Sequence, residues 1–188
     1  MSGKFRQTEC GVYRSTISMF QISRRVDYAV RIMIELGMQS PGAFLSARRV
    51  SARTAVPKAF LHKITADLVR ANLIHTQTGP SGGLALQRDV AEINLLHIVE
   101  AIEGPVCLNI CLIRPQECNR DRFCPGHEVW GRLQMMLVAE LENTTLDALT
   151  SEAKRLQKQP RGGALVDFPY LYAAEKPGKN SSEQEPSS

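Results

Sequence analysis

The run Gly79-Pro80-Ser81-Gly82-Gly83 lies between Leu73-Ile74-His75-Thr76 and Leu84-Ala85-Leu86. A helix does not run through two adjacent glycines and a proline, and short apolar runs on either side of such a turn read as the strands of a β-hairpin. What precedes the hairpin narrows the fold further. Ile22, Val26, Ala29, Val30, Met33, Ile34 and Gly37 recur at spacings of three and four, which predicts an amphipathic helix closed by Pro41-Gly42, with Arg24, Arg25 and Arg31 elsewhere on its surface. Ser46 caps a short helix over residues 47–54. Ala55-Val56 then leads to Pro57, which suits the first position of a helix because it lacks only an amide that has no partner there. The third helix, Lys58 to about Ala71, sets Phe60, Leu61, Ile64, Leu68 and Val69 on an inner face and leaves Lys58, His62, Lys63 and Arg70 outside.

Two helices joined by a short turn, the second basic and followed at once by a hairpin, outline a winged helix-turn-helix. A small helical hairpin ahead of an ordinary turn is the plainer alternative. Charge separates the two only in part. The formal total is +4, but residues 1–19 carry +2, residues 20–90 carry +6 and residues 91–188 carry −4. A positive field confined to one part of the molecule fits a nucleic-acid-binding module, and also a solvated face. With 43% apolar and 22% charged residues, the chain of 188 residues has the balance of a globular domain with appendages. No stretch approaches the roughly 18 apolar residues of a membrane span, and the N-terminus lacks the apolar region of a secretory signal, so a cytoplasmic protein with no membrane association is expected.

Beyond the hairpin, Asn94 opens a helix from Leu95 to Glu103 that stops at Gly104-Pro105. A longer helix starting near Pro125 carries Val129, Leu133, Met136, Leu137 and Leu141 on one stripe, which serves either as cover for the core or as the seam of a two-fold dimer. Thr144-x-x-Asp147 resembles a capping box for a last helix to about Gln157. The expected division is an N-terminal extension over 1–18, disordered and with Met19 as a candidate translation start; a DNA-binding domain over 19–104; a cysteine-rich loop over 105–128; a dimerisation helix region over 125–158; and a disordered tail over 159–188. The fold class is mainly α with a small β-hairpin wing and a long dimerisation helix.

Four of the five cysteines, Cys107, Cys111, Cys118 and Cys124, fall in one window between two helices, with His127 three residues beyond the last; Cys10 stands apart. In a reducing compartment such a cluster reads as a metal or redox site rather than as disulfides. Thiolates with an imidazole suit an iron-sulfur cluster and zinc alike. Spacings of six and five residues are looser than the paired C-x2-C knuckles of structural zinc, which favours a cluster. A metal-free thiol switch stays open. No nucleophile motif surrounds any of the thiols, so no enzyme is expected. His62, His75 and His97 have ordinary places on a helix surface, a strand end and a helix face.

Taken in order, Gln21-Ile-Ser-Arg-Arg-Val-Asp-Tyr-Ala-Val-Arg31, the helix from Val56-Pro57 to Ile74, the turn Gly79–Gly83, Ile93-Asn-Leu-Leu-His-Ile-Val-Glu-Ala-Ile-Glu-Gly104, and Cys111, Cys118, Cys124, His127 and Trp130 resemble the IscR/NsrR-type regulators of the Rrf family. These are winged-helix transcription regulators that sense iron-sulfur clusters, nitric oxide or redox state. The resemblance covers about three quarters of the chain and implies a homodimer that binds a double-stranded DNA operator. It places the ligands of an iron-sulfur cluster on Cys111, Cys118, Cys124 and His127, a two-iron cluster being favoured. In the NsrR type an aspartate near the start of the first helix, from the partner subunit, completes a four-iron cluster, and Asp27 holds that position; Cys107 is a further alternative ligand or redox partner. The DNA contacts implied are Lys58, Ala59, Phe60, His62 and Lys63 on the recognition helix and Thr78, Gly79 and Ser81 on the wing. The first ligand spacing is one residue longer than in IscR, Thr78 replaces the usual wing arginine, and His62 replaces a glutamate that tunes site preference. The target sequences of IscR are therefore not expected to carry over.

Overall fold

A computed structural model describes residues 22–79 and 82–160. The expected N-terminal extension, Cys10, Pro80, Ser81 and nearly all of the tail lie outside the described residues. The chain forms α1 (Arg24–Gly37), α2 (Ala47–Thr54), α3 (Lys58–Arg70), β1 (Ile74–Gln77), β2 (Gly83–Leu86), α4 (Leu95–Glu103), α5 (Pro125–Asn143) and α6 (Leu146–Lys158). The strands pair antiparallel, Ile74 with Leu86 and Gln77 with Gly83. Among the described residues no helix is long and apolar enough to cross a membrane.

The core is built around α1. Its Ala29, Ile32 and Met33 are fully buried and meet Val50 of α2, Leu61, Ile64 and Leu68 of α3, and Ile98 of α4 in a single cluster. This face sits slightly aside from the expected one: Ile32 and Leu36 are buried, Val30 and Ile34 only half so, and Ile22 is exposed because α1 begins after it, at the Ser23 cap. On α3 the buried set is Leu61, Ile64 and Leu68, while Phe60 and Val69 face outward. A helix resting on one layer buries a stripe spaced by three and four, and residues flanking that stripe stay wet whatever their polarity. Pro57 stands one residue earlier than expected, as the cap before Lys58, with its carbonyl accepting from the amides of Phe60 and Leu61 at 3.0 Å each.

Two further elements close on the core from a distance in sequence. The amides of Leu45 and Leu84 each donate to the other's carbonyl at 2.9 Å, so the chain ahead of α2 braces the hairpin as a one-residue third strand. Helix α6 folds back on α1, where Gly37 admits it: a Cβ on Gly37 would stand 2.7 Å from the Thr150 methyl. Leu146 at the start of α6 is fully buried, and its amide donates to Ile93 at 2.7 Å. The cap of α6 is Thr145, whose hydroxyl accepts from Ala148, whereas Thr144 donates its hydroxyl to Glu140 at the end of α5. The expected box thus shifts by one residue, because two adjacent threonines divide the ends of two helices between them.

The brace at Leu45 carries a testable cost. A Cβ on Gly83 would collide with the Leu45 carbonyl and lie 2.9 Å from the Ser46 amide nitrogen. Backbone cannot step aside as a flexible side chain does, so Gly83→Ala is expected to destabilise the protein by about 2–3 kcal/mol in a denaturant titration, with the hairpin amides losing hydrogen-exchange protection first.

Candidate nucleic-acid interface and metal centre

Burial of Leu61, Ile64 and Leu68 decides what α3 shows to solvent. Lys58, Ala59, Phe60, His62 and Lys63 are all exposed along the first turn and a half. The first turn holds no acidic residue. Asp67, further along, is spoken for: it accepts from Arg25 of α1 at 2.7 Å and from Arg70 at 2.8 Å. Those two arginines neutralise the carboxylate, and the Arg25 bridge fixes α3 against α1, so the outer face of α3 keeps a positive field on a firm base. Arg48 and Arg49 of α2 are exposed as well. On the wing, Thr78 and Gly79 are exposed and the Gly79 carbonyl accepts from the Gly82 amide at 3.0 Å. A Cβ on Gly82 would collide with the Gln77 carbonyl, so the tight turn needs glycine there. Ser81 lies outside the described residues.

The pairing of α1 with the face of α3 was not visible from the sequence. The Tyr28 ring meets the Phe60 ring edge to face, with centroids 5.6 Å apart, and the Arg31 guanidinium lies 5.7 Å from the Tyr28 centroid. The sequence carried no signal for it, because periodicity places Phe60 on the inner face of α3.

Between α4 and α5 the chain makes three short 3-10 turns, Ile110–Leu112, Pro115–Glu117 and Asp121–Phe123. Cys111 sits in the first, Cys118 ends the second and Cys124 precedes α5; all three are half-buried, as are Cys107 and His127. The segment is clamped to α5 by one amide, since Gln134 donates to the Val106 carbonyl at 2.6 Å and accepts from the Leu108 amide at 2.8 Å. The Cys124 side chain makes no capping bond, and its Sγ is 3.6 Å from the place a Cβ on Gly126 would take. The indole nitrogen of Trp130 is 3.4 Å from that same place. Cys107 donates its thiol to the Asn109 carbonyl at 3.0 Å.

The donor set, three thiols and an imidazole in sequence order on three short turns and one helix start, has the chemistry an iron-sulfur cluster takes. The distances are not yet those of a metal centre: among the described residues no three of His, Cys, Asp and Glu stand close enough to hold one ion. Asp27 is engaged elsewhere, with its carboxylate 2.8 Å from Arg31, on the rim of an apolar groove formed by Val26, Val30, Leu95, Val99 and Leu141.

Helix α5 buries none of its 19 residues. Of its expected stripe, Val129, Leu133 and Met136 are exposed, joined by Trp130 and Met135, while Leu137 and Leu141 are half-buried.

A family profile described as Rrf2, iron-dependent transcriptional regulator, matches residues 22–152. The chain is 25% identical over 134 residues to the HTH-type transcriptional regulator IscR of Vibrio vulnificus, covering 71% of this chain and 79% of that protein. Among solved structures it is similar to IscR of T. potens, with a TM-score of 0.60 at 21% identity over 81% of this chain and 96% of that one. It is also similar to CymR, the global cysteine regulator of B. subtilis, with a TM-score of 0.56 at 24% identity over 71% and 98%. The structural likenesses carry the winged-helix fold, and the matched proteins are transcription regulators rather than enzymes.

Proposed function

The chain belongs to the Rrf2 family of transcription regulators, and from that premise we propose that it is a cytoplasmic homodimer whose binding to a DNA operator is set by an iron-sulfur cluster. The observation that carries the DNA half is the exposed row on α3 beside the wing. Lys58, Ala59, Phe60, His62 and Lys63 enter the major groove, and Thr78, Gly79 and Ser81 meet the sugar-phosphate backbone. A lysine amine can pair with the O6 and N7 of guanine in the major groove, which assigns base readout to Lys63 or Lys58, at the two ends of that row.

The sensing half rests on donor chemistry. Cys111, Cys118, Cys124 and His127 would hold a two-iron cluster, and Asp27 of the second subunit would take the place of the histidine if the cluster had four irons. When bound, the group supplies a centre that reacts with oxidants and nitric oxide. The chain's own contribution is positional: the Gln134 clamp ties the thiol segment to α5, and α5 with its uncovered apolar stripe reaches the second copy. A change in the segment is therefore passed to the relative placement of the two DNA-binding halves. Zinc in place of a cluster is distinguished by iron and sulfide analysis of protein purified without air.

The test of the DNA half is Lys63→Ala in the full chain, assayed at fixed salt on a duplex enriched from a random pool by the wild-type protein. Affinity for that duplex is expected to fall roughly five- to hundredfold, while affinity for unrelated duplex changes little. Equal affinity of variant and wild type for the enriched duplex removes Lys63 from the interface.

A further inference from the structure

A half-exposed aromatic ring on an otherwise basic helix face is out of place as a phosphate contact. Phe60 is 42% exposed, offers neither donor nor acceptor, and stands between Lys58 and His62. It is also held. Tyr28 packs edge to face against it, the Arg31 guanidinium lies over the Tyr28 ring, and Asp27 grips Arg31 through two contacts, at 2.8 Å from Nη2 and 3.3 Å from Nε. These three residues come from a single turn of α1, so the ring of Phe60 is backed by a different helix from its own. Backing of this kind restricts the ring before DNA arrives and lowers the entropy lost when it docks.

We propose that Phe60 reads the 5-methyl group of thymine in the bound duplex and that Tyr28 is the residue that positions it. The inference rests on the reading that α3 enters the major groove. Among the base-pair edges exposed there, the thymine methyl is the only apolar group that projects into the groove; the rest are hydrogen-bond donors, acceptors and flat C–H edges such as cytosine C5–H. A rigid hydrocarbon ring gains most from the methyl, which offers the largest apolar contact on those edges, while a polar edge placed against it loses its water. Phe60 thus sets sequence preference at one base pair in each half-site. Arg31 acts through the Tyr28 ring, and its charge need not reach a base.

The experiment replaces thymidine with deoxyuridine, one position at a time, in the duplex that the full-length wild-type protein enriches from a random pool. Removing the methyl that Phe60 reads is expected to weaken wild-type binding roughly fourfold at one half-site and about fifteenfold at both, the effect of one or two buried methyl groups. Phe60→Ala is expected to bind the thymidine and deoxyuridine duplexes equally. Tyr28→Leu is expected to reduce the ratio below about twofold without altering the salt dependence, which reports phosphate contacts, and Tyr28→Phe to restore it. If Tyr28→Leu melts at a much lower temperature than wild type, Arg31→Gln serves instead, since the Arg31 side chain is about half exposed and outside the core, and the ratio of the two duplexes is insensitive to a lost phosphate contact.

Indifference of the wild-type protein to deoxyuridine at every position overturns the proposal. If Lys63→Ala still weakens binding in that case, the placement of α3 stands and only the role of Phe60 falls. Full methyl discrimination in both Tyr28→Leu and Arg31→Gln removes the positioning role. Failure of any sequence to be enriched overturns the reading of α3 and the inference together.

Discussion

Cys124→Ala protein purified without air is expected to carry less than about a tenth of the iron and acid-labile sulfide of wild type, and to lack its visible absorption. Cys124 stands at the junction of the last short turn with α5, its side chain unspent on capping. A ligand at that junction is fixed by a helix on one side, so its loss removes the donor with the least freedom to be replaced, and cluster binding follows the full set of ligands steeply. Cys107→Ala is the matched control. Its thiol already donates to Asn109, ahead of the first short turn, and the variant is expected to keep its iron and sulfide. Iron retained by Cys124→Ala and lost from Cys107→Ala would move the ligand set toward the N-terminal end of the segment.

Leu133→Glu is expected to convert a dimer into a monomer in analytical ultracentrifugation and to lower operator affinity by roughly a hundredfold or more. Leu133 lies mid-way along α5, exposed among Val129, Trp130 and Met136, on a helix none of whose residues is buried in the single chain. An apolar strip of that length marks an interaction surface. A carboxylate at its centre would be buried without a partner in the dimer and costs nothing in the monomer, so the penalty falls on association alone. Loss of the dimer also divides the two half-site contacts, whose linkage multiplies affinity by a hundred- to ten-thousandfold. The melting of the isolated subunit should barely change, because Leu133 supports no core contact. A variant that remains dimeric with unaltered DNA affinity places the interface on another surface.

Much of the fold was legible because local chemistry and periodicity agreed. Ser46 and Asn94 each cap the helix expected of them, and the hairpin follows α3 as expected, with β1 moved one residue along the chain and β2 begun one residue earlier, at Gly83. What escaped were arrangements made across the chain. Glu35 lies buried in α1 because Arg53 of α2 comes within 2.7 Å, a pairing that no spacing announces. Leu45 was an unremarked residue ahead of a cap, yet it braces the hairpin from the far side. Periodicity assigned Phe60 and Val69 to the inner face of α3 because it weighs polarity alone, whereas the width of the buried stripe is set by what packs on it. For the site, the row on α3 could be read from Lys58 to Lys63, but its backing by Tyr28 and Arg31 depends on how α1 crosses α3. The thiols were legible as a group by their crowding in sequence, and their separation on distinct short turns was not.

The coupling of thiol segment to DNA is tested most directly by measuring operator affinity of one dimeric preparation with its iron and sulfide in place and again after their removal, at a single salt concentration. A cluster that biases the two arrangements of the DNA-binding halves by the usual coupling energy should change that affinity by about five- to 150-fold, in either direction. Equal affinities for the loaded and stripped dimers would leave the protein a DNA-binding regulator whose thiol segment has no part in control.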